Sequence, residues 1–375
     1  MTRLPMVDDR QSVSCCADEQ PAGSYGDPAD ANWVNGQLQT AAGPVCRVAT
    51  SLDRKDLLGT LKTRCSFGRM NYLIPPALYA VGKPDSDSPV LVSANYKLSF
   101  DHLRRELAGL NLWILVIDTK GINVWCAAGK GSFGTAEVVR MVGFSGLSEL
   151  VSHGTLILPQ LAAPGVAAHE VRRRCGFKVI YGPVRAVDIP AFLNAGCKAE
   201  AAMRSTRFAL ADRLVLAPVE LAGMIIPLAL FSAALFLLNL AAMLIKGDPF
   251  SFLTLLVKTF FDLAPFFGAV LVGVVLVPAL LPYIPGRALA WKGWVLGMAW
   301  ALAYSFIANP TAGWLQTAAY LLAIPAITAF IGMNFTGSTT YTSLSGVVKE
   351  MGTALPLIII SAGLGLIALI AVYFV

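Results

Sequence analysis

Charge is distributed very unevenly along this chain, and that constrains its fold more than any motif. Residues 214–375 hold five basic residues (Lys246, Lys258, Arg287, Lys292, Lys349) and four acidic ones (Glu220, Asp248, Asp262, Glu350), out of 29 and 23 in the 375-residue whole. The stretch divides into five apolar segments centred near Phe231, Leu271, Met298, Leu322 and Gly365. Each approaches the ~20 residues needed to cross a bilayer; the third, about Trp291 to Ile307, is the shortest. In lipid the backbone must satisfy its own hydrogen bonds, which apolar helices do. Residues 214–375 therefore read as an all-α transmembrane domain of five helices. With 14% charged residues overall, against about 25% in soluble domains, a fully soluble enzyme, a secreted disulfide scaffold and a disordered chain are excluded.

Arg204, Arg207 and Arg213 precede the first segment, Arg287 and Lys292 lie between the second and third, and Lys349 lies between the fourth and fifth. Lys246 and Lys258 fall on the other side. The positive-inside rule then puts the N-terminal part in the cytoplasm and the C-terminus outside a multi-pass cell-membrane protein. No ionisable residue is expected at the middle of a segment, which favours an anchor or docking surface over a pump. Membrane lipid is a partner on this reading. Nucleic acid is not, because the net charge of +6 forms no basic run.

The seven cysteines (Cys15, Cys16, Cys46, Cys65, Cys126, Cys175, Cys197) are odd in number and show no framework spacing. They read as free thiols of a reducing compartment. Residues 1–50 look like a disordered leader without a signal peptide, since large apolar residues are few. The Cys15–Cys16 pair reads as two exposed thiols in that leader, with capture of a soft metal ion by thiolate exchange as the rival use.

Residues 51–200 alternate short apolar runs with amphipathic stretches. Strands are expected at Pro89–Ser93, Leu112–Asp118, Thr155–Leu158 and Phe177–Tyr181. Helices are expected at Phe100–Leu107, Thr135–Val142, Val166–Arg174 and Pro190–Ala195, with Gly176 as a left-handed stop. That order implies a parallel sheet with crossover helices and a ligand site beyond the strands' carboxyl ends. Residues 201–213 form an amphipathic linker.

Asp118 to Thr135 carries the chemistry. Gly129, Gly131 and Gly134 fit G-x-G-x-x-G, but no carboxylate ends the next strand, as a dinucleotide site requires. A Walker loop is rejected because Val124 stands where glycine is needed and no Ser or Thr follows Lys130. The remaining reading centres on Cys126. A thiol at a strand-to-helix junction meets the positive end of a helix dipole, with Lys130 nearby, and both favour the metal-binding thiolate. Ala127, Ala128 and Gly129 leave room for a large flat ligand.

The octapeptide Asn123-Val124-Trp125-Cys126-Ala127-Ala128-Gly129-Lys130 resembles the signature of the mercury-methylating corrinoid proteins. That family is related to the large subunit of the corrinoid iron–sulfur protein of the acetyl-CoA pathway. The likeness continues in Gly68–Tyr72, Pro89–Lys97, Leu156–Gln160, Gly176–Arg185 and the five-segment tail, and so covers about Arg64 to the C-terminus. It implies an α/β Rossmann-like corrinoid-binding domain with the motif on a cap helix. Asn123 to Gly131 would bind the cofactor, and Cys126 would be the lower axial ligand of the cobalamin-type cobalt.

The resemblance further implies transfer of a methyl group to mercury(II), giving methylmercury. A ferredoxin-like partner with two 4Fe–4S clusters would supply electrons, and a methyl donor protein of the one-carbon pathway would supply methyl groups. The usual D-x-H-x-x-G corrinoid motif is missing around His102, His153 and His169, so a histidine ligand is not expected. No C-x-x-C cluster occurs, so no iron–sulfur cluster is expected in this chain. Two alternatives remain: a corrinoid methyl carrier of acetyl-CoA-type metabolism, and a membrane transporter with a nucleotide-binding regulatory domain.

Overall fold

The computed structural model describes residues 27–206, 208–308, 313–335 and 344–374; Cys15, Cys16 and Arg207 lie outside them. The chain forms two compact units. One is built on residues up to Gly59 and Met70–Ser205, the other on Thr60–Arg69 and residues from Thr206 onward.

The first unit is a seven-stranded sheet: β1 Val34–Thr40, β2 Gly43–Val48, β3 Leu78–Val81, β4 Val90–Ala94, β5 Leu112–Ile117, β6 Thr155–Leu158 and β7 Lys178–Tyr181. Its helices are α1 Arg54–Arg64, α2 Lys97–Arg105, α3 Val124–Lys130, α4 Thr135–Phe144, α5 Leu147–Leu150, α6 Ala168–Cys175 and α7 Ile189–Asn194. Strand order is β1-β2-β3-β5-β4-β6-β7. The four strands β5, β4, β6 and β7 run parallel, with Val90 opposite Trp113 and Leu156 opposite Val179. All residues of β4 and β5 are buried, as parallel strands covered on both faces must be. One face packs Leu115, Val92 and Leu156 under Val138, Met141 and Val171. The other packs Ile114, Leu91 and Ile157 against Phe100, Leu103 and Phe192.

Two expectations need correction. The sheet is mixed rather than wholly parallel, because β3 pairs antiparallel with β5 and β1 antiparallel with β2. Strand β3 passes to β4 through residues 82–89 with no helix between them, so it can run opposite to β4 and therefore opposite to β5, the parallel neighbour of β4. Moreover, residues 34–48, read as leader, supply β1 and β2. Val45, Cys46 and Val48 are core residues, and Trp33 packs edge-on to Tyr79 (5.3 Å) and Phe100 (5.2 Å). Strand β1 looked polar because it is an edge strand with most side chains turned to solvent.

A buried ion cluster fastens α1 to α2. Asp56 meets Lys97 Nζ at 2.6 Å and Arg104 at 2.6 Å, and Asp101 meets the same two cations at 2.7 and 2.8 Å. Arg104 also donates to the carbonyls of Ala49 and Ser51. Burial pushes the Asp56 carboxyl up, but hydrogen bonds from Lys97 and the Asp53 backbone, with Arg104, outweigh it and hold the group at about 2.

The second unit is helical: α8 Leu210–Leu214, α9 Ala217–Lys246, α10 Phe252–Leu271, α11 Val277–Leu280, α12 Leu289–Ala303, α13 Trp314–Asn334 and α14 Leu344–Phe374. A π turn, Val272–Leu276, joins α10 to α11. Among the described residues, four stretches are long and apolar enough to cross a membrane: Leu210–Lys246, Phe252–Leu280, Trp314–Asn334 and Gly346–Phe374. The expected third segment is the 15-residue α12, prolonged by the π turn Tyr304–Ala308.

Helix α12 lies along α10. Lys292 near its start donates to the Leu281 carbonyl, while Trp300 and Tyr304 near its end donate to the carbonyls of Pro265 (2.8 Å) and Phe261 (3.4 Å). Gly293 and Gly297 let α12 press on α13; a Cβ at Gly297 would sit 2.8 Å from Pro325 Cα.

A third expectation also fails, since α10 carries an ionisable residue near its middle. Asp262 accepts from Asn239 Nδ2 on α9 (2.9 Å) and from the Tyr373 hydroxyl on α14 (2.7 Å). Its polar partners from two other helices satisfy a carboxylate set among apolar side chains.

Candidate functional site

The chain leaves β4 through α2 to reach β5 on one side, and leaves β5 through α3 and α4 to reach β6 on the other. That reversal opens a crevice at the carboxyl ends of the strands, where ligands bind in such sheets. A cavity of about 370 Å³ lies there, between Ser93 of β4, Pro159 after β6, Gly182 after β7 and the start of α3. Its volume falls within the ~300–1,000 Å³ usual for small-molecule sites.

Helix α3 begins because Asn123 caps it, its side-chain oxygen accepting the Cys126 backbone N–H at 2.9 Å. It stops at Gly131, whose φ of 82° is left-handed. Gly134 then caps α4, and a Cβ there would meet the Gly131 carbonyl oxygen at 2.7 Å. These two glycines of the G-x-G-x-x-G pattern therefore stop one helix and start the next.

The turn before α3 is held from β4. Asn95, fully buried just after β4, accepts from the backbone N–H groups of Thr119 (3.0 Å) and Gly121 (3.0 Å) and lies 2.9 Å from the Thr119 hydroxyl. Its Nδ2 donates to Asp118 (3.1 Å), whose own backbone N–H donates to Glu137 of α4 (2.9 Å). Gly121 has a φ of 69°, and a Cβ there would run into Leu73. Sequence reasoning gave no role to Asn95. The available signal was a lone amide directly after a largely apolar strand.

The expected site residues separate into three groups. Asn123, Val124 and Trp125 line the cavity, with the Trp125 ring 39% exposed. Cys126 is half-buried in the first turn of α3, one residue beyond the cavity wall. Ala127 and Ala128 are buried in the core beneath α3, while Gly129, Lys130 and Gly131 are exposed at its far end. The small size of Ala128 serves packing: Gly165 presses on it so closely that a Cβ at Gly165 would sit 3.0 Å from Ala128 Cα and clash with the Phe133 carbonyl. His102 lines the cavity from α2, whereas His153 approaches the Ser88 carbonyl and His169 lies near Glu170 on the surface.

This is a half-buried thiol on a capped helix beside the cleft at the carboxyl ends of the strands of an α/β sheet. Comparison with known proteins gives that class a context. The profile of the CO dehydrogenase/acetyl-CoA synthase delta subunit family matches residues 51–193. The chain is similar to the acetyl-CoA decarbonylase/synthase complex subunit gamma of Methanopyrus kandleri, 32% identical over 123 residues, or 32% of this chain and 26% of that one. The subunit gamma 2 of Methanosarcina thermophila is 34% identical over 123 residues, covering 31% of this chain and 25% of its own. The gamma subunit of Archaeoglobus fulgidus is 28% identical over 149 residues, 38% of this chain and 31% of its own. The chain thus spans about a quarter to a third of these relatives' length.

Proposed function

We propose that this chain is a membrane-anchored, corrinoid-dependent methyltransferase that passes a methyl group to mercury(II). The observation that carries the reading is Cys126: a half-buried thiol in the first turn of α3, beside the cleft at the strands' carboxyl ends. The residues fit a corrinoid. The site offers one soft sulfur donor, an adjacent cavity, and a helix start whose backbone is already fixed by Asn123 and Asn95. When bound, a corrinoid supplies a cobalt-held methyl group that can be handed to an acceptor.

The chain's own part is to position and to donate. Cys126 would hold the cobalt through its sulfur, and its thiolate would be a strong electron donor to the metal. Asn123 holds the Cys126 backbone, so the sulfur is aimed before the cofactor arrives. Val124 and Trp125 wall the cavity and would limit water there once a corrinoid is bound. Mercury(II) as acceptor rests on the octapeptide's resemblance, and a ferredoxin-like electron donor and a one-carbon methyl donor belong to the same reading.

The second reading is a corrinoid methyl carrier of acetyl-CoA-type metabolism. It is favoured by the subunit names of the relatives that match this unit. Methylmercury formation separates the two. The full chain, loaded with methylcobalamin and given mercury(II), is expected to yield methylmercury, and Cys126→Ala is expected to yield none. No product from the wild-type protein, with transfer to other acceptors intact, would favour the carrier.

For the membrane unit we propose five spans, with the first unit cytoplasmic and the C-terminus outside. Support comes from the hydrogen bonds that lay α12 along α10 and from Tyr373 near the end of α14, which meets Asp262 in the first half of the Phe252–Leu280 stretch, on the side of its centre nearer α9. A cytoplasm-only reporter fused after Val375 should be silent; an active one would contradict the odd number of spans.

A further inference from the structure

Between α12, α13 and α14 lies a groove of about 1050 Å³. It is walled mainly by apolar side chains, among them Trp291, Trp294, Ala326, Leu357 and Leu364. Leu357 and Leu364 are exposed, as are both tryptophans, so the groove opens toward the bilayer side of the helices. The Trp291 and Trp294 rings stack with centroids 5.3 Å apart and planes 12° from parallel, and interfacial tryptophan marks headgroup depth.

Charge is confined to one end. There Arg287, just before α12, and Lys349, near the start of α14, line the groove, and both are exposed. Neither makes an ion pair among the described residues. Glu350 also lines this end but is buried, and it accepts the Ala290 backbone N–H, tying the starts of α12 and α14 together. From Lys349 to Leu364 the groove runs ~22 Å along α14. That is about half of the ~40–45 Å thickness of a bilayer with its headgroups. It is the length of one lipid from phosphate to chain end.

We propose that this groove is a binding site for one anionic phospholipid, its phosphate held by Arg287 and Lys349 and its acyl chains laid along α14 past Leu357 to Leu364. The charge at the mouth selects the anion, and the apolar floor takes the chains whatever the headgroup. Basic pockets between membrane helices recognise acidic headgroups in this way. A neutral isoprenoid quinone would fill the floor but leave both cations unanswered.

The test uses the full chain, delipidated in neutral detergent, with dioleoyl phosphatidylglycerol and dioleoyl phosphatidylcholine as probes and native mass spectrometry as readout. Each basic residue is expected to favour phosphatidylglycerol about fivefold, about thirtyfold together. Arg287→Gln with Lys349→Gln should remove that preference while phosphatidylcholine still binds, which shows that the groove survives. Lys246→Gln with Lys258→Gln, at the other end of the bundle, should keep it. Equal binding of the two lipids by the wild type would overturn the proposal. So would a preference that survives Arg287→Gln with Lys349→Gln, or displacement of the bound phospholipid by a quinone.

Discussion

Gly165 sets where the thiol helix lies. Adding one methyl group there, in Gly165→Ala, drives a Cβ against the Phe133 carbonyl oxygen and to 3.0 Å from both Cα and O of Ala128. The obstructing atoms are backbone, so no side-chain rotation relieves them. Phe133 N–H is bonded to the Ala127 carbonyl (3.1 Å), and Gly165 N–H to that of Ala162 (2.9 Å), so both partners are pinned. Overpacking of this kind costs ~1–3 kcal/mol. Movement of α3 by about an ångström, carrying Cys126, is enough to lower transfer on the order of a hundredfold.

A contrast variant lies on the same helix. Gly129 has nothing within 4 Å of its would-be Cβ and no positive φ. Gly129→Ala should therefore stabilise the cofactor-free protein by up to ~1 kcal/mol through helix propensity. Thermal unfolding followed by circular dichroism, with the visible spectrum after cobalamin loading, reads both effects. If Gly165→Ala melts with the wild type and gives an unchanged cobalt spectrum, the packing argument for α3 is wrong.

Two further outcomes concern the first unit. The Asp56 carboxyl is held at about 2, below its ordinary 3.8, so its ion cluster contributes about 2 kcal/mol that is fully present above pH ~4 and is lost as pH falls through 2. Asp56→Asn, which strands Lys97 and Arg104 on one carboxylate, should cost ~3–5 kcal/mol at neutral pH and flatten the acid limb of the stability curve; an unchanged limb would contradict this origin. Trp33→Ala removes a ring packed on Tyr79 and Phe100 and should cost ~3–5 kcal/mol in urea unfolding, whereas a value near zero would return residues 27–48 to the status of a leader.

Elements whose residues are apolar because of where they sit were legible in the sequence. Strands β4, β5, β6 and β7 lie within about a residue of expectation, and α4 and α6 begin and end close to it. Gly176 takes the left-handed stop at a φ of 80°. The edge of the sheet was not legible, because an edge strand such as β1 buries only one side and its Asn35-Gly36-Gln37 run carries no apolar period. Strand β3 hid for another reason: four residues after Pro75-Pro76 are too few to show a period.

At the site, the octapeptide drew attention to Cys126, and the helix cap at Asn123 was implicit in its position. The supports were not legible, because Asn95 holds the turn before α3 from 26 residues away and Gly165 packs on α3 from 37 residues away, and only the fold brings them there. Asp262 was misjudged because its partners Asn239 and Tyr373 lie on other helices.

Cobalt K-edge X-ray absorption on the cobalamin-loaded full chain addresses the thiolate bond itself. With Cys126 as the lower ligand, the wild type shows one sulfur neighbour of cobalt, Cys126→Ala shows none, and Cys65→Ala and Cys175→Ala keep it. A wild-type spectrum without sulfur, or a sulfur neighbour that persists in Cys126→Ala, would contradict the assignment and the function built on it.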